Sequence, residues 1–124
     1  MEHSYKDFTI GVEIEFTGVT RETAAKLVEE YFETTKVHLG GSYDTYRIFD
    51  TKGRPWKIVR DSSIIPQNNQ NGEIDGEFQC ELVSPILKYE DIKTLQRLYT
   101  HLRYRGGVYC IIKVQTSATN LYRV

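Results

Sequence analysis

Two glutamates in one alternating stretch are the residues whose type and spacing best fit a chemical role. Glu13 and Glu15 alternate with Val12, Ile14 and Phe16, and a period of two predicts a β-strand with one apolar and one acidic face. The two carboxylates would then lie roughly 7 Å apart along that face. Like charges so placed repel each other unless a positive group such as Mg²⁺ lies between them. The pattern also fits the solvated face of an edge strand, so both interpretations stay open.

The rest of the sequence predicts the elements that position this first strand, over residues 7–17. Helices are predicted over residues 20–32 and 89–104, because each carries an apolar stripe at helical spacing and acidic residues in its first turn. Further strands are predicted over residues 43–50 and 56–60, as a hairpin, and over residues 77–83 and 108–115. The order β-α-β-β-β-α-β predicts an α+β fold, with a largely antiparallel sheet and two helices on one face.

Length and composition predict one domain over residues 1–124. Within it we expect a loose N-terminus over residues 1–6, a mobile loop over residues 67–73 and a polar tail over residues 116–124. The formal net charge of −1 argues against a general nucleic-acid or membrane-surface binder. The two cysteines have no metal-binding spacing and are expected to be buried free thiols. Without a signal peptide or a long apolar run, a cytoplasmic location is expected.

Four stretches carry a resemblance to a known family. They are residues 11–16, Trp56 with residues 60–64, residues 81–87, and the second helix with its glycine stop at residues 106–107. In order and spacing they resemble the N-terminal part of the amidoligases, which are carboxylate–amine ligases related to glutamate–cysteine ligase and glutamine synthetase. The resemblance implies half of a glutamine-synthetase-like ligase fold, and ATP- and Mg²⁺-dependent joining of an acid to an amine.

The same resemblance assigns roles to four acidic residues. It implies that Glu13, Glu15 and Glu81 are the carboxylates that would hold any bound metal, and that Asp61 lines the same cleft. Because Mg²⁺ prefers carboxylate oxygens and must neutralise phosphate charge, acidic residues are what such a site needs. ATP and Mg²⁺ are therefore the expected cofactors if the ligase activity survives.

The last of the family's motifs is altered in this sequence. Such ligases carry Cys-Gly-Leu-His-Val-His where residues 110–115 are Cys-Ile-Ile-Lys-Val-Gln. Lys113 and Gln115 replace the two histidines, and a charged ammonium cannot bind a metal. Lys113 could instead reach the carboxylates and supply the positive charge that a metal would bring. We therefore treat Asp61, Lys113 and Gln115 as vestigial catalytic candidates. The sequence ends nine residues after Gln115, which predicts only the first half of the ligase fold.

These departures predict a truncated pseudo-amidoligase that acts as a stand-alone binding or inhibitory module without a cofactor. By analogy of size and origin, an inhibitor of a host defence enzyme from a phage or mobile element, such as an anti-CRISPR protein, is one concrete case. The alternative is an active Mg²⁺-dependent enzyme that uses the acidic cluster Glu13, Glu15, Asp61 and Glu81. It would be an ATP-dependent carboxylate–amine ligase, or a nuclease or hydrolase.

The partner expected for a binding module is a protein or a ribonucleoprotein, not a membrane. Oligomeric state is left open. The candidate contact residues are Tyr43, Tyr46, Arg47, Trp56, Arg60, Arg97, Arg103, Tyr104 and Arg105. Trp56 fits a core position equally well, and the basic run fits a solvated helix end.

Overall fold

The computed structural model describes residues 8–61, 79–106 and 109–116 of the chain. The strands in this part are β1 (Thr9–Thr17), β2 (Lys36–Gly40), β3 (Thr45–Phe49), β4 (Pro55–Val59), β5 (Cys80–Val83), β6 (Leu87–Lys88) and β7 (Tyr109–Thr116). The helices are α1 (Arg21–Phe32) and α2 (Ile92–Gly106), and a 3₁₀ turn (Tyr89–Asp91) leads into α2. The predicted α+β class is confirmed: the described strands form one antiparallel sheet, and both helices pack on one face.

Strand β1 lies inside the sheet and has partners on both edges. Residues 13–16 pair with β5 and also with β7, so these two strands lie on opposite edges of β1. Ile10 pairs with both Leu87 of β6 and Thr116 of β7, so β6 lies on the same edge as β5. The sheet then continues from β5 through β4 and β3 to β2.

A bulge separates β5 from β6. Between the pairs Glu13–Val83 and Ile10–Leu87 the register shifts by one residue, so the three residues 84–86 lie opposite the two residues 11–12 of β1. Ser84 fastens the bulge, because its hydroxyl accepts a hydrogen bond from the Val12 N–H at 2.9 Å and its own N–H donates to the Val12 carbonyl at 2.9 Å.

The core lies between the sheet and the two helices. Val12, Ile14 and Phe16 of β1 are buried there, as their alternation predicts. Helix α1 begins after Thr20, whose hydroxyl accepts a hydrogen bond from the Thr23 N–H, as expected for an N-cap. The helices contribute the buried side chains Ala24, Ala25, Leu27, Val28, Phe32, Leu95, Leu98 and Leu102. The opposite side of the sheet, which we call the helix-free face, is covered by no described helix.

A polar network ties the β3–β4 hairpin to the start of α2. Asp50 accepts hydrogen bonds from the backbone N–H groups of Lys52 and Arg54 and from the Trp56 indole, each at 2.9 Å. Arg54 donates to both carboxylate oxygens of Asp91, at 2.9 and 3.0 Å. Asp50 and Asp91 are both buried, so this network replaces their lost hydration with direct donors.

The structure adds two strands to the predicted order. β2 falls on a segment that the sequence marks as extended, but its apolar residues Val37 and Leu39 are exposed and give no core pattern. β6 has two residues and is too short for a pattern. The expectations for residues 1–6, 67–73 and 117–124 lie outside the described residues, whereas residue 116 ends β7. The glutamine-synthetase-like half-fold stays a prediction.

Candidate functional site

The register of β1 with its two neighbours brings four predicted site residues together. On one edge Glu15 lies opposite Glu81, and on the other edge Glu13 lies opposite Lys113. Opposite residues in an antiparallel pair point to the same side of the sheet. All four side chains therefore lie on the helix-free face, and we call this group the carboxylate cluster.

Lys113 is the cation of the carboxylate cluster. Its ammonium group donates a hydrogen bond to the Glu15 carboxylate across the β1–β7 pair. The Glu15 side chain is 13% exposed and that of Lys113 is 56% exposed, so the pair lies at the boundary between cluster and solvent. The hydrogen bond with Glu15 is the main cause of a raised pKa for Lys113, to which the charges of Asp61 and Glu81 contribute. Lys113 is therefore held in its charged form, which cannot bind a metal.

Glu81 is the carboxyl group most affected by the crowding. Burial, a hydrogen bond with Glu13 and the charges of Glu13, Asp61 and Glu15 together raise the pKa of Glu81 to about 7, and burial is the largest cause. Since one of two hydrogen-bonded carboxyl groups must carry a proton, Glu81 holds that proton below about pH 7. The proton on Glu81 and the ammonium group of Lys113 therefore reduce the negative charge of the carboxylate cluster.

A hollow of about 250 Å³ lies beside the cluster on the same face. Gly11 forms its floor, since a Cβ atom built there would meet no other atom within 4 Å. Glu13, Lys113, Ser84 and Gln115 line its walls, and Gln115 lies opposite Gly11 across the β1–β7 pair. The sequence prediction missed Gly11, although a glycine inside a strand often marks a place where another group approaches the backbone.

A comparison with protein families shows which family the strands of this face belong to. The family model described as "Putative amidoligase enzyme" matches residues 6–119. The chain belongs to the amidoligase family. The match spans most of the 124 residues and includes β1, β5 and β7, the strands that carry the carboxylate cluster. No curated protein and no solved structure matches the chain significantly.

Amidoligase chemistry implies a metal and a nucleotide, which requires donor groups arranged to bind Mg²⁺. In residues 8–61, 79–106 and 109–116, no group of three or more His, Cys, Asp or Glu side chains has a geometry that could hold a metal ion. The ammonium group of Lys113 also donates a hydrogen bond to the Glu15 carboxylate, which a metal ion would otherwise bind. The donor set in this arrangement does not fit Mg²⁺, and binding of Mg²⁺ and ATP stays a prediction.

The predicted contact residues do not form one surface. Trp56 and Tyr46 are 1% and 7% exposed, which corrects their assignment to a contact surface. The Trp56 indole packs 5.4 Å from the Phe32 ring and donates to Asp50, so it is a core residue with a satisfied polar group. Tyr46 stacks on His38 at 4.1 Å.

The remaining predicted contact residues lie in two separate regions. Arg47 is on β3, on the helix-free face, and the exposed Tyr43 and Arg60 lie at the ends of the β3–β4 hairpin. Arg97, Arg103, Tyr104 and Arg105 are exposed along α2, on the other side of the sheet. Within this second group, Arg105 pairs with Glu30 at 3.0 Å. Neither described helix has the length and apolar character needed to cross a bilayer.

Proposed function

We propose that this chain is a non-catalytic amidoligase-family domain that binds another protein through its helix-free face. The observation that carries the proposal is the contact between Lys113 and Glu15. A ligase of this kind needs its carboxylates free to hold Mg²⁺ against the phosphates of ATP. Here the carboxylate of Glu15 is paired with the ammonium group of Lys113, the residue that lies opposite Glu13 on β7.

The charge pattern of the helix-free face supports a protein partner. One row of cross-strand neighbours runs from Arg47 through Lys57 and Val83 to Glu13. Because neighbouring strands lie about 4.8 Å apart, Lys57 and Glu13 are separated by roughly 10 Å. Because β5 lies between them, Lys57 and Glu13 are not opposite each other, and the charge of Lys57 is available to a partner. A protein segment with an acidic group near Lys57 and a basic group near the carboxylate cluster would complement this row.

The same charges argue against a nucleic-acid partner on this face. Glu13, Glu15 and Glu81 stand beside the basic positions, and their carboxylates would repel a phosphate backbone. Exposed apolar side chains at the basic end of the row favour contact with a protein. Val37 lies opposite Arg47 and is 40% exposed, and the guanidinium of Arg47 lies 5.0 Å from the ring centre of Phe49.

The test is affinity capture from a lysate of the source organism with matched charge variants. We expect Lys57→Glu to lose the captured protein, because the change reverses the charge at the centre of the row. Lys93→Glu is the control, since Lys93 is an exposed lysine at the start of α2, on the other side of the sheet. Equal capture by both variants, or capture of a nucleic acid that Lys57→Glu abolishes, would contradict the proposal. The narrower prediction that the partner is a host defence enzyme is tested by identifying the captured protein.

A further inference from the structure

The outer edge of β7 has no partner among the described strands. Residues 109–116 pair with residues 10–17 of β1 in eight consecutive register pairs without a bulge, which accounts for one edge of β7. An unpaired strand edge presents a row of N–H and C=O groups that can pair with another strand. Proteins usually protect such an edge with charged residues, a proline or a bulge. Residues 109–116 contain no proline and one charged residue, Lys113.

Exposed apolar side chains of β7 lie on both sides of the sheet. Ile111 lies on the helix-free side and is 64% exposed. Ile112 and Val114 lie on the helix side and are 42% and 54% exposed. The one charged side chain, Lys113, is already bound to Glu15 of its own chain. Neither charge nor shape therefore prevents another strand from adding to this edge.

We propose that β7 pairs antiparallel with β7 of a second copy of this chain, which joins the two sheets into one. This surface is distinct from the helix-free face, so the inference goes beyond the proposed function. An antiparallel pair of identical strands is related by a two-fold axis perpendicular to the sheet, and the same residues then serve on both sides. Such an edge is self-complementary without any further partner.

The position of Lys113 argues against one register of this pairing, and the proposed register is centred on residue 112. A pairing centred on residue 113 would place two Lys113 ammonium groups directly opposite each other, and like charges in that position are destabilising. A pairing centred on residue 112 places Ile112 opposite its own counterpart and Ile111 opposite the aliphatic stem of the second Lys113. This register keeps both Lys113–Glu15 contacts. It also places the two helix-free faces on the same side of the joined sheet.

The first test is sedimentation velocity of the full chain from about 1 to several hundred micromolar. We expect a reversible dimer, and we expect Ile112→Lys to weaken it by roughly tenfold or more, since two added ammonium groups would meet at the axis. Tyr43→Lys is the control, because Tyr43 is 65% exposed beside β3, which β4, β5 and β1 separate from β7. A monomer at every concentration would overturn the proposal. So would a dimer that Ile112→Lys leaves unchanged, or an open-ended series of larger assemblies.

A second test does not depend on the folding of a charge variant. In a Cys110→Ser background, Ile112→Cys should form a disulfide between two copies under mild oxidation. Directly opposite residues in an antiparallel pair have Cα atoms about 4.5–5.5 Å apart, which suits a disulfide. Val114→Cys in the same background should cross-link far less, because residue 114 does not meet its counterpart. Cys80 is buried and does not compete. Equal or preferred cross-linking through residue 114 would contradict the predicted register.

Discussion

Two groups of charged residues in this molecule combine carboxylates with basic side chains, but they shift the pKa of their central carboxyl group in opposite directions. In the network between the β3–β4 hairpin and α2, Asp91 receives hydrogen bonds from Arg54, from Lys52 and from the Lys88 N–H. The hydrogen bonds from Arg54 are the main cause of a pKa for Asp91 far below its usual range. In the carboxylate cluster, burial and neighbouring acids raise the pKa of Glu81 to about 7.

The difference lies in the ratio of donors to acids. Asp50 and Asp91 are each surrounded by N–H donors, so their charged forms are stabilised and the network supports the fold. Glu13, Glu15 and Glu81 share one ammonium group, that of Lys113, so the charged cluster costs stability. A group of acids that opposes folding is a candidate for function, because functional sites are where such shifted pKa values concentrate.

The largest expected effect comes from breaking the hairpin network. Asp91→Ala should lower the free energy of unfolding by about 3–5 kcal/mol, because the Arg54 guanidinium, the Lys52 ammonium and the Lys88 N–H all lose their shared, buried acceptor. Urea denaturation measures the change. Glu90→Ala is the control, since the Glu90 side chain is 69% exposed and 3.6 Å from Lys52, and we expect a change within about 0.5 kcal/mol. Similar losses for the two variants would show that the network does not stabilise the fold.

A substitution at Glu81 should change the free energy of unfolding in the opposite direction. At pH 8, where Glu81 is charged, Glu81→Gln should raise the free energy of unfolding by about 1–2 kcal/mol, a figure that allows for solvent screening of a half-buried carboxyl. The Gln amide keeps a hydrogen-bonding group beside Glu13 and carries no charge. Urea denaturation in a buffer with EDTA measures the effect without divalent cations. A loss of stability at pH 8 would contradict the account of the cluster.

The two groups should also respond to pH in opposite directions. The folded pKa of Glu81, about 7, lies above its ordinary value of 4.5, so the folded state keeps this proton longer than the unfolded chain does. Stability from this group is therefore full below about pH 4.5 and declines as the pH rises towards 7. The folded pKa of Asp91 lies below its ordinary value of 3.8, so its contribution is present above that pH and is lost in acid.

Denaturation curves from pH 3 to 8 separate the two groups. Glu81→Gln should remove part of the decline between pH 4.5 and 7 and leave the acid limb unchanged. Asp91→Ala should reduce the loss of stability below about pH 4. If Glu81→Gln changed only the acid limb, the assignment of the raised pKa to Glu81 would be wrong.

The smallest expected effect is at Lys113, which lies in solvent at the border of the cluster. Lys113→Met should lower the melting temperature slightly at low ionic strength, since Glu15 loses the ammonium group with which it is paired. Added salt should remove the difference by screening the remaining repulsion. Lys57→Met is the matched control, because Lys57 is an exposed lysine on the same face, opposite Val83 and Arg47 rather than a glutamate. An equal or larger effect at Lys57 would remove the special role of Lys113.

The sequence predicts the carboxylate cluster partly from a local pattern and partly from the resemblance to the amidoligases, which adds Glu81 and Lys113. Alternation along β1 assigns Glu13 and Glu15 to one face, and the replacement of histidine by Lys113 marks the change in charge. The hairpin network could not be predicted in this way. Arg54 and Asp91 are far apart in the chain, and no periodic pattern links a turn residue to a helix start. Trp56 also could not be assigned, because its amphipathic side chain suits both a core and a surface. The bulge at residues 84–86 depends on the register of two strands.

The central claim, that Lys113 takes the position of a metal's charge, is tested most directly by thermal melting and ATP hydrolysis with and without millimolar MgCl₂. Wild type and Glu13→Gln are compared under the same conditions. The account predicts that Mg²⁺ raises the melting temperature of neither protein and that no Mg²⁺-dependent ATP hydrolysis occurs, since a bound ion would stabilise the folded state by mass action. Mg²⁺-dependent stabilisation and ATP hydrolysis in the wild type, both abolished by Glu13→Gln, would contradict it.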